Sequence, residues 1–504
     1  MEREIQNLLL EKIDDNQREY QICILKNGMK CVLIHNPCID TSACCILNPC
    51  GSLYDPKEYQ GLTHFLEHLL FLGSEKYPDP NHYRRFVGDN GGRCNAWTFR
   101  SFTKYHFELP TDKFIEGLDI LTNQLSHPTL LIDSGRIEIW AVDSEHHVNI
   151  NNNVNLYSSV SRELGDPEST FSKYPTGDIH SLNVLKDEYK KNAGKQGLTF
   201  NSQKLRDEAL DENNFEKLMK ETKKHFLSTF SADHMIAVIE SGFSSRKIKK
   251  IAERYLGKMP VRKTKLIDFS KDPGPLKNYG KLVNFRPCTA WDFVSFQHYL
   301  PPVSTLKTKP LLFLEYIIGQ KRRGSLYDSL KRQNLIKDLY LFWDNYQEFY
   351  SKIEIRAIST YNGIRNYEKI IRACAAFFFW LKAQILQGGS EIRRVYCNWV
   401  KEKKIRTVGT KLGSGLEFVD RLSRNVFFYG LGDPGLIYRH KLPKFSTGKE
   451  EFLDCMFEIS EEMIEEGLGE VLELLSYIDG EKAVVFRCSQ ILQLDNPNSS
   501  IIIN

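Results

Sequence analysis

His64, Glu67 and His68 stand close together in the string GLTHFLEHLLFLG. Around them lie Leu62, Phe65, Leu66, Leu69, Leu70 and Leu72, so a helix formed here is apolar nearly all round and must be buried. Two imidazoles and a carboxylate buried without partners would cost about 1–3 kcal/mol each, and more for an ionised carboxylate, so something must satisfy them together. Histidines four apart share one helical face with Cβ atoms about 5–6 Å apart, which lets both rings converge on one metal ion. Such a pair alone is more often a satisfied core or surface pair. The longer string H-x-x-E-H, a reversal of H-E-x-x-H, adds an acid beside the pair, where it can serve as a general base.

A catalytic zinc site needs three protein ligands and an open position, so two histidines are not enough. The helix expected from about Asp133 carries RIEIWAVDSEHH, in which Glu138 and Glu145 are seven apart and stack two turns from each other on one face. One of them can ligate while the other supports a ligand histidine by a hydrogen bond. His146 and His147 flank Glu145 and are weaker candidates.

The elements that must position these groups alternate between strand and helix. YQICILKNGMKCVLIHN reads as a hairpin turning at Asn27-Gly28, and SACCILNPCGSLYD as the next strand. A helix from about Glu58 to Gly73 and another from about Asn81 to Val87 precede the strands RCNAWTF and TKYHFELP. Helices from about Thr111 and Asp133, a helical segment from Leu205 to Phe230 and the strand HMIAVIES complete a first α+β unit. Nine Lys/Arg against one acid between Arg246 and Lys265, followed by KDPGPLKNYGK, mark a domain boundary. From Lys281 the same style returns, through strands near Asp338 and Lys352, long helices to about Arg424, an acidic helix from about Lys449 to Leu475 and the strand KAVVFRC. No repeat is visible residue by residue.

With 504 residues, 41% hydrophobic and 26% charged, the chain can bury more than one core. A net charge of +4 gives no reason to expect nucleic acid or an anionic membrane as the main partner. The N-terminal stretch lacks the apolar core of a signal peptide, and the best apolar run, AAFFFWLKAQIL from Ala375, is short and broken by Lys382. A soluble, cytosolic protein without a membrane span is expected. The twelve cysteines form no C-x-x-C pair and read as reduced thiols.

GLTHFLEHLLFLGSEKYP, GGRCNAWT, AVDSEHH and FSKYPTGD, in this order and at these separations, closely resemble the insulinase (pitrilysin-like) zinc metalloproteases. The likeness runs from about Tyr20 to about Ser489 and is strongest before Gly177. It implies one zinc per chain held by His64, His68 and Glu145, with Glu67 as general base and Glu138 as the supporting carboxylate. It also implies that the strand with Asn95 and Ala96 receives extended peptide by strand addition and that Phe71 lines the cleavage pocket. The expected organisation is an extension over residues 1–19, a catalytic domain over 20–265, a linker over 266–280, a similar non-catalytic domain over 281–489 and an unassigned tail over 490–504. Each domain should be a mainly antiparallel sheet packed with helices.

The chain also departs from the family. Lys321, Arg322 and Arg323 in GQKRRGSLYDSLK replace a more acidic, glycine-rich stretch that helps anchor substrate termini. Family chambers are built from two halves, whereas two domains make one half, so a homodimer or a heterodimer with a related half is expected. The resulting reading is a zinc endopeptidase cleaving peptides or small unfolded polypeptides through a metal-activated water. Its rival is a truncated, catalytically weak or inactive half acting as a binding or regulatory subunit.

Overall fold

The hairpin expected at Asn27-Gly28 pairs β1 (Glu19–Ile24) with β2 (Lys30–His35), and Gly28 occupies the left-handed region at φ 86°, where a side chain would be strained. The computed structural model describes residues 18–193, 202–262, 267–272, 280–302, 308–345, 350–409, 414–429, 461–478, 483–490 and 501–503, with positions 200, 264, 274 and 492. β3 (Thr41–Asn48), β4 (Arg93–Thr98), β5 (Thr103–Pro110) and β6 (Ile236–Ser241) complete a sheet in the order β1-β2-β6-β3-β5-β4. Only β2 and β6 run parallel; every other neighbouring pair is antiparallel. β4 is therefore an edge strand.

A second sheet contains β7 (Leu282–Phe285), β8 (Phe293–Leu300), β9 (Ile336–Asn345), β10 (Ser351–Ser359), β11 (Val484–Cys488) and β12 (Ile501–Ile503), in the order β12-β7-β11-β8-β10-β9. Its strands β7-β11-β8-β10-β9 repeat the chain order and the directions of β2-β6-β3-β5-β4, with one parallel pair followed by three antiparallel pairs. The repeat is thus one of topology, carried by alternation of buried positions and not by residue identity. The fold is α+β, with two mixed, largely antiparallel sheets packed with helices. β12, parallel to β7, falls in the tail whose sequence showed no periodicity.

The described residues divide into two units that are not consecutive segments. Met1–Val148, Lys173–Asp268 and Leu412–Arg439 contribute to the first, and Asn149–Ser172, Phe269–Lys411 and His440–Asn504 to the second. One crossing falls at Asp268, inside the expected 266–280 boundary, but the other crossings have no mark in the composition. Residues 149–172 join the second unit because Tyr157, Val160 and Leu164 pack with Val283, Phe285, Phe293 and Phe486. The helix Leu416–Tyr429 belongs to the first because Phe418, Val419, Leu422 and Val426 cover Val32, Cys45 and Val238 on its sheet. The basic run is not linker up to Tyr255: Ser245–Tyr255 is a helix that buries Ile248, Ile251 and Ala252 and turns its cations outward. The segment 205–230 is likewise two helices, Gln203–Ala209 and Glu212–Thr229, the second capped by the Asp211 carboxylate on the Asn214 N–H. The part of the acidic helix before Glu461 lies outside the described residues.

The helix that carries the histidines, α1 (Leu62–Leu70), begins later than Glu58 because Gly61 at φ 93° breaks the helical path. Its apolar girdle is explained by two partners. Leu66 and Leu70 pack with Cys44, Ile46, Ala96 and Tyr105 of the sheet, while Leu62, Phe65 and Leu69 pack with Ile139, Trp140, Val142, Phe215 and Leu218. At about 1.5–3 kcal/mol for each fully buried Leu or Phe, this sandwich fixes the helix firmly enough to present charged groups at its surface. Among the described residues no single helix is long and apolar enough to cross a membrane.

Candidate metal centre and peptide cleft

Two further helices frame the centre: α2 (His82–Asp89) and α3 (Ile132–Ile150). Burial of Ile139, Trp140 and Val142 against α1 turns Glu138 and Glu145, two helical turns apart, toward the histidines. The Glu145 carboxylate lies 3.6 Å from the Nε2 of both His64 and His68, and the two rings sit edge to face with centroids 4.8 Å apart. Glu138 accepts from His68 Nδ1 at 2.9 Å, and the Thr176 carbonyl accepts from His64 Nδ1 at 2.6 Å.

Those second contacts decide the chemistry of the first. A carboxylate and a carbonyl can only accept, so each Nδ1 must carry a hydrogen, and Nε2 is the atom each ring can offer a metal, which on His68 would displace the proton shared with Glu145. Two imidazole nitrogens and a carboxylate oxygen within 4.8 Å of one another are the donor set that zinc takes. Burial disfavours the His68 cation, but Glu138 and then Glu145 and Glu67 outweigh it and raise the imidazole to about 9. His68 in front of Glu145 lowers that carboxyl against its partial burial, with His64 adding to the effect.

Glu67 lies almost wholly out of water, and burial raises its carboxyl above the usual range, partly offset by His64, the Thr98 hydroxyl and His68. Thr98 donates to Oε2 at 2.6 Å, which leaves Oε1 as the oxygen able to take a proton. Thr98 was not singled out from the sequence, although alternation places it on the same face of β4 as Ala96, which packs against α1. His64, Glu67, His68, Phe71, Arg84, Asn95, Ala96, Trp97, Thr98, Glu145, Pro175 and Thr176 line one open cleft of about 380 Å³. The structure therefore brings all the expected residues but Glu138 to the cleft wall, and Glu138 stands behind His68. Asn95 is exposed at the edge; Phe71 is buried, stacked on Tyr83 at 5.8 Å, and forms wall more than surface. His146 and His147 turn elsewhere, the first sharing a hydrogen bond of 2.5 Å with the Tyr174 hydroxyl and the second lying 3.5 Å from Asp143.

The Thr176 carbonyl reaches His64 through a close crossing of two glycines. A Cβ on Gly61 would lie 2.2 Å from the Cα of Gly177, and both residues have positive φ. The start of α1 is held from below by Asp55, whose carboxylate accepts from the Gly61 and Thr63 N–H groups at 2.8 Å and from the Thr63 hydroxyl at 2.5 Å. His225 Nε2, 2.9 Å from the Thr63 oxygen, must then be the donor in that pair. Burial, aided by Lys173, lowers the His225 imidazole to about 4, so the ring is neutral in the fold. A lowered folded pKa contributes stability that is complete above the unfolded value near 6.5 and is lost as pH falls through about 4. We expect His225→Gln, which keeps a donor for Thr63, to lose on the order of 2–3 kcal/mol less stability than the parent between pH 7 and 4. Denaturant unfolding at both pH values reads this out; parallel losses in the two proteins would contradict it.

Comparison with known proteins agrees with this architecture. Residues 30–168 match the family described as "Insulinase (Peptidase family M16)" and residues 219–385 the "Peptidase M16 inactive domain". The crystal structure of pitrilysin superposes with a TM-score of 0.69 over 97% of this chain and 47% of that one, at 22% identity, which establishes a shared fold. The chain belongs to the insulinase family of metalloproteases. Insulin-degrading enzyme of Drosophila melanogaster is 26% identical over 376 residues, covering 74% of this chain and 36% of the relative. A Schizosaccharomyces pombe protein named as a zinc protease is 27% identical over 370 residues, covering 72% and 35%. The chain thus spans about a third of the length of these curated relatives.

Proposed function

We propose that this chain is a zinc-dependent endopeptidase acting on peptides or small unfolded polypeptides, with one zinc held by His64, His68 and Glu145. The observation that carries the reading is the convergence of both Nε2 atoms on Glu145 while both Nδ1 atoms are tied to acceptors. Zinc held there would supply a water of lowered pKa and an electrophile for the scissile carbonyl. Glu67 is the general base: burial raises its carboxyl above the ordinary value, which makes it a stronger proton acceptor, and Thr98 fixes its orientation. The proton it takes can be handed to the leaving amine. Residues 219–385, most of which lie in the second unit, match a domain described as inactive, and all the chemistry proposed lies in the first unit.

β4 supplies the binding surface. As an edge strand beside the metal centre it offers unpaired backbone groups to an extended peptide, giving affinity without demanding one sequence. The N–H groups of Asn95 and Trp97 face β5, so the edge donor between them is that of Ala96; Ala96→Pro removes it, and KM should rise about fivefold, the equivalent of one backbone hydrogen bond, while zinc content stays the same. Unchanged KM would remove β4 from the binding surface. Action in the cytosol and pairing with a second copy or a related half belong to the same proposal; pairing predicts that turnover rises faster than linearly with protein concentration.

The test is peptide cleavage with and without metal. Chelation should abolish cleavage and added zinc restore it; a protein with zinc and no cleavage would favour a binding or regulatory role.

A further inference from the structure

We propose that Arg84 gives the cleft a preference for peptides with an acidic side chain next to the scissile bond. This rests on the reading of the cleft as a peptidase site. Arg84 lies on α2 and is the one arginine or lysine among the residues lining the cleft, which it shares with Glu67, His68, Phe71 and Asn95. Neighbouring arginines are engaged: Arg85 pairs with Asp79 at 2.7 Å and Arg93 with Glu108 at 3.2 Å. No carboxylate among the described residues pairs with Arg84. Its guanidinium sits over the Phe71 ring, 6.0 Å from the centroid, and that ring is held by its stack on Tyr83. An aromatic face orients the guanidinium while leaving its N–H fork free for a carboxylate.

The charges of the site point the same way. The cleft contains the carboxylates of Glu67 and Glu145, which would repel an acidic peptide. A divalent ion balances those two charges, so the Arg84 cation is left as the net field that a substrate side chain meets. An extended strand advances about 3.3 Å per residue, so a guanidinium sharing a cleft with Glu67 and His68 reaches side chains within about two residues of the scissile bond. A charge-assisted, two-pronged contact with Glu or Asp then distinguishes them from Gln or Leu.

The test uses the zinc-loaded full chain and a set of quenched fluorescent peptides that differ only in carrying Glu, Gln or Lys at each position around one cleavage site. At one position Glu should exceed Gln by about tenfold in kcat/KM, a ratio that shrinks at high salt. Arg84→Gln should bring that ratio close to one, and Arg84→Glu should invert it in favour of Lys. Equal cleavage of the Glu and Gln peptides at every position, or a preference that survives Arg84→Gln, overturns the proposal. The same peptides are titrated by anisotropy against the zinc-loaded Glu67→Gln protein. Acid-selective binding lost with Arg84, when the zinc-loaded parent with Glu67 intact cleaves none of the peptides, would uphold the preference and defeat the peptidase reading. Binding that is absent or indifferent to charge overturns the preference.

Discussion

Glu67→Gln is expected to bind zinc as the parent does and to lose about 10²–10⁴ in kcat, the usual contribution of a positioned general base. The amide preserves the shape of the side chain and can still accept from Thr98, so the helix and its histidines should not move. What it cannot do is take a proton at Oε1. The effect should fall on kcat with KM little altered, because β4 and not Glu67 is proposed to carry the peptide. Zinc content fixes the interpretation. If the variant loses both metal and turnover, Glu67 holds the site together and another base must be sought.

The second large effect is on metal affinity, and it should be graded by distance from the ion. Glu138→Ala removes the acceptor behind His68 Nδ1, freeing the ring to rotate and change tautomer, and should weaken zinc by about 10–100-fold. His68→Ala and Glu145→Ala each remove a donor from a set of three and should weaken it further than that. Competition with a zinc-sensitive dye measures all three. An affinity for His68→Ala equal to that of the parent would contradict the assignment, and so would a Glu138 effect larger than that of either ligand.

Much of this site is legible in the residues themselves because its chemistry conflicts with its surroundings. A helix apolar on every side has no reason to carry His64, Glu67 and His68 unless something satisfies them, and seven-residue spacing brings Glu138 and Glu145 to one face. Thr98 was missed, although the alternation of β4 puts it on the face of Ala96. Other parts leave no such mark. The acceptor for His64 is a main-chain carbonyl at Thr176, which any residue could supply, and only the paired Gly61 and Gly177 hint at the crossing. Arg84 is exposed and reads like any surface cation until α2 is placed beside the cleft.

The fold divides in the same way. Turn chemistry and alternation announce the hairpin at Gly28 and most strands, but an amphipathic helix does not say which sheet it covers. Leu416–Tyr429 thus returns to the first unit, and Asn149–Ser172 leaves for the second, without warning in the composition. The repeated five-strand order is invisible for a related reason. It depends on which strands pair, and β3 TSACCILN and β8 FVSFQHYL reach equivalent central positions with different residues.

The most direct measurement is zinc content and peptide turnover on the same purified sample, before chelation, after it and after zinc is returned. The account predicts one zinc per chain, cleavage that disappears with the metal and returns with it, and turnover by Glu67→Gln lower by about 10²–10⁴ at full zinc occupancy. A chain that binds no zinc with His64, His68 and Glu145 intact, or whose cleavage is indifferent to the metal, would contradict it.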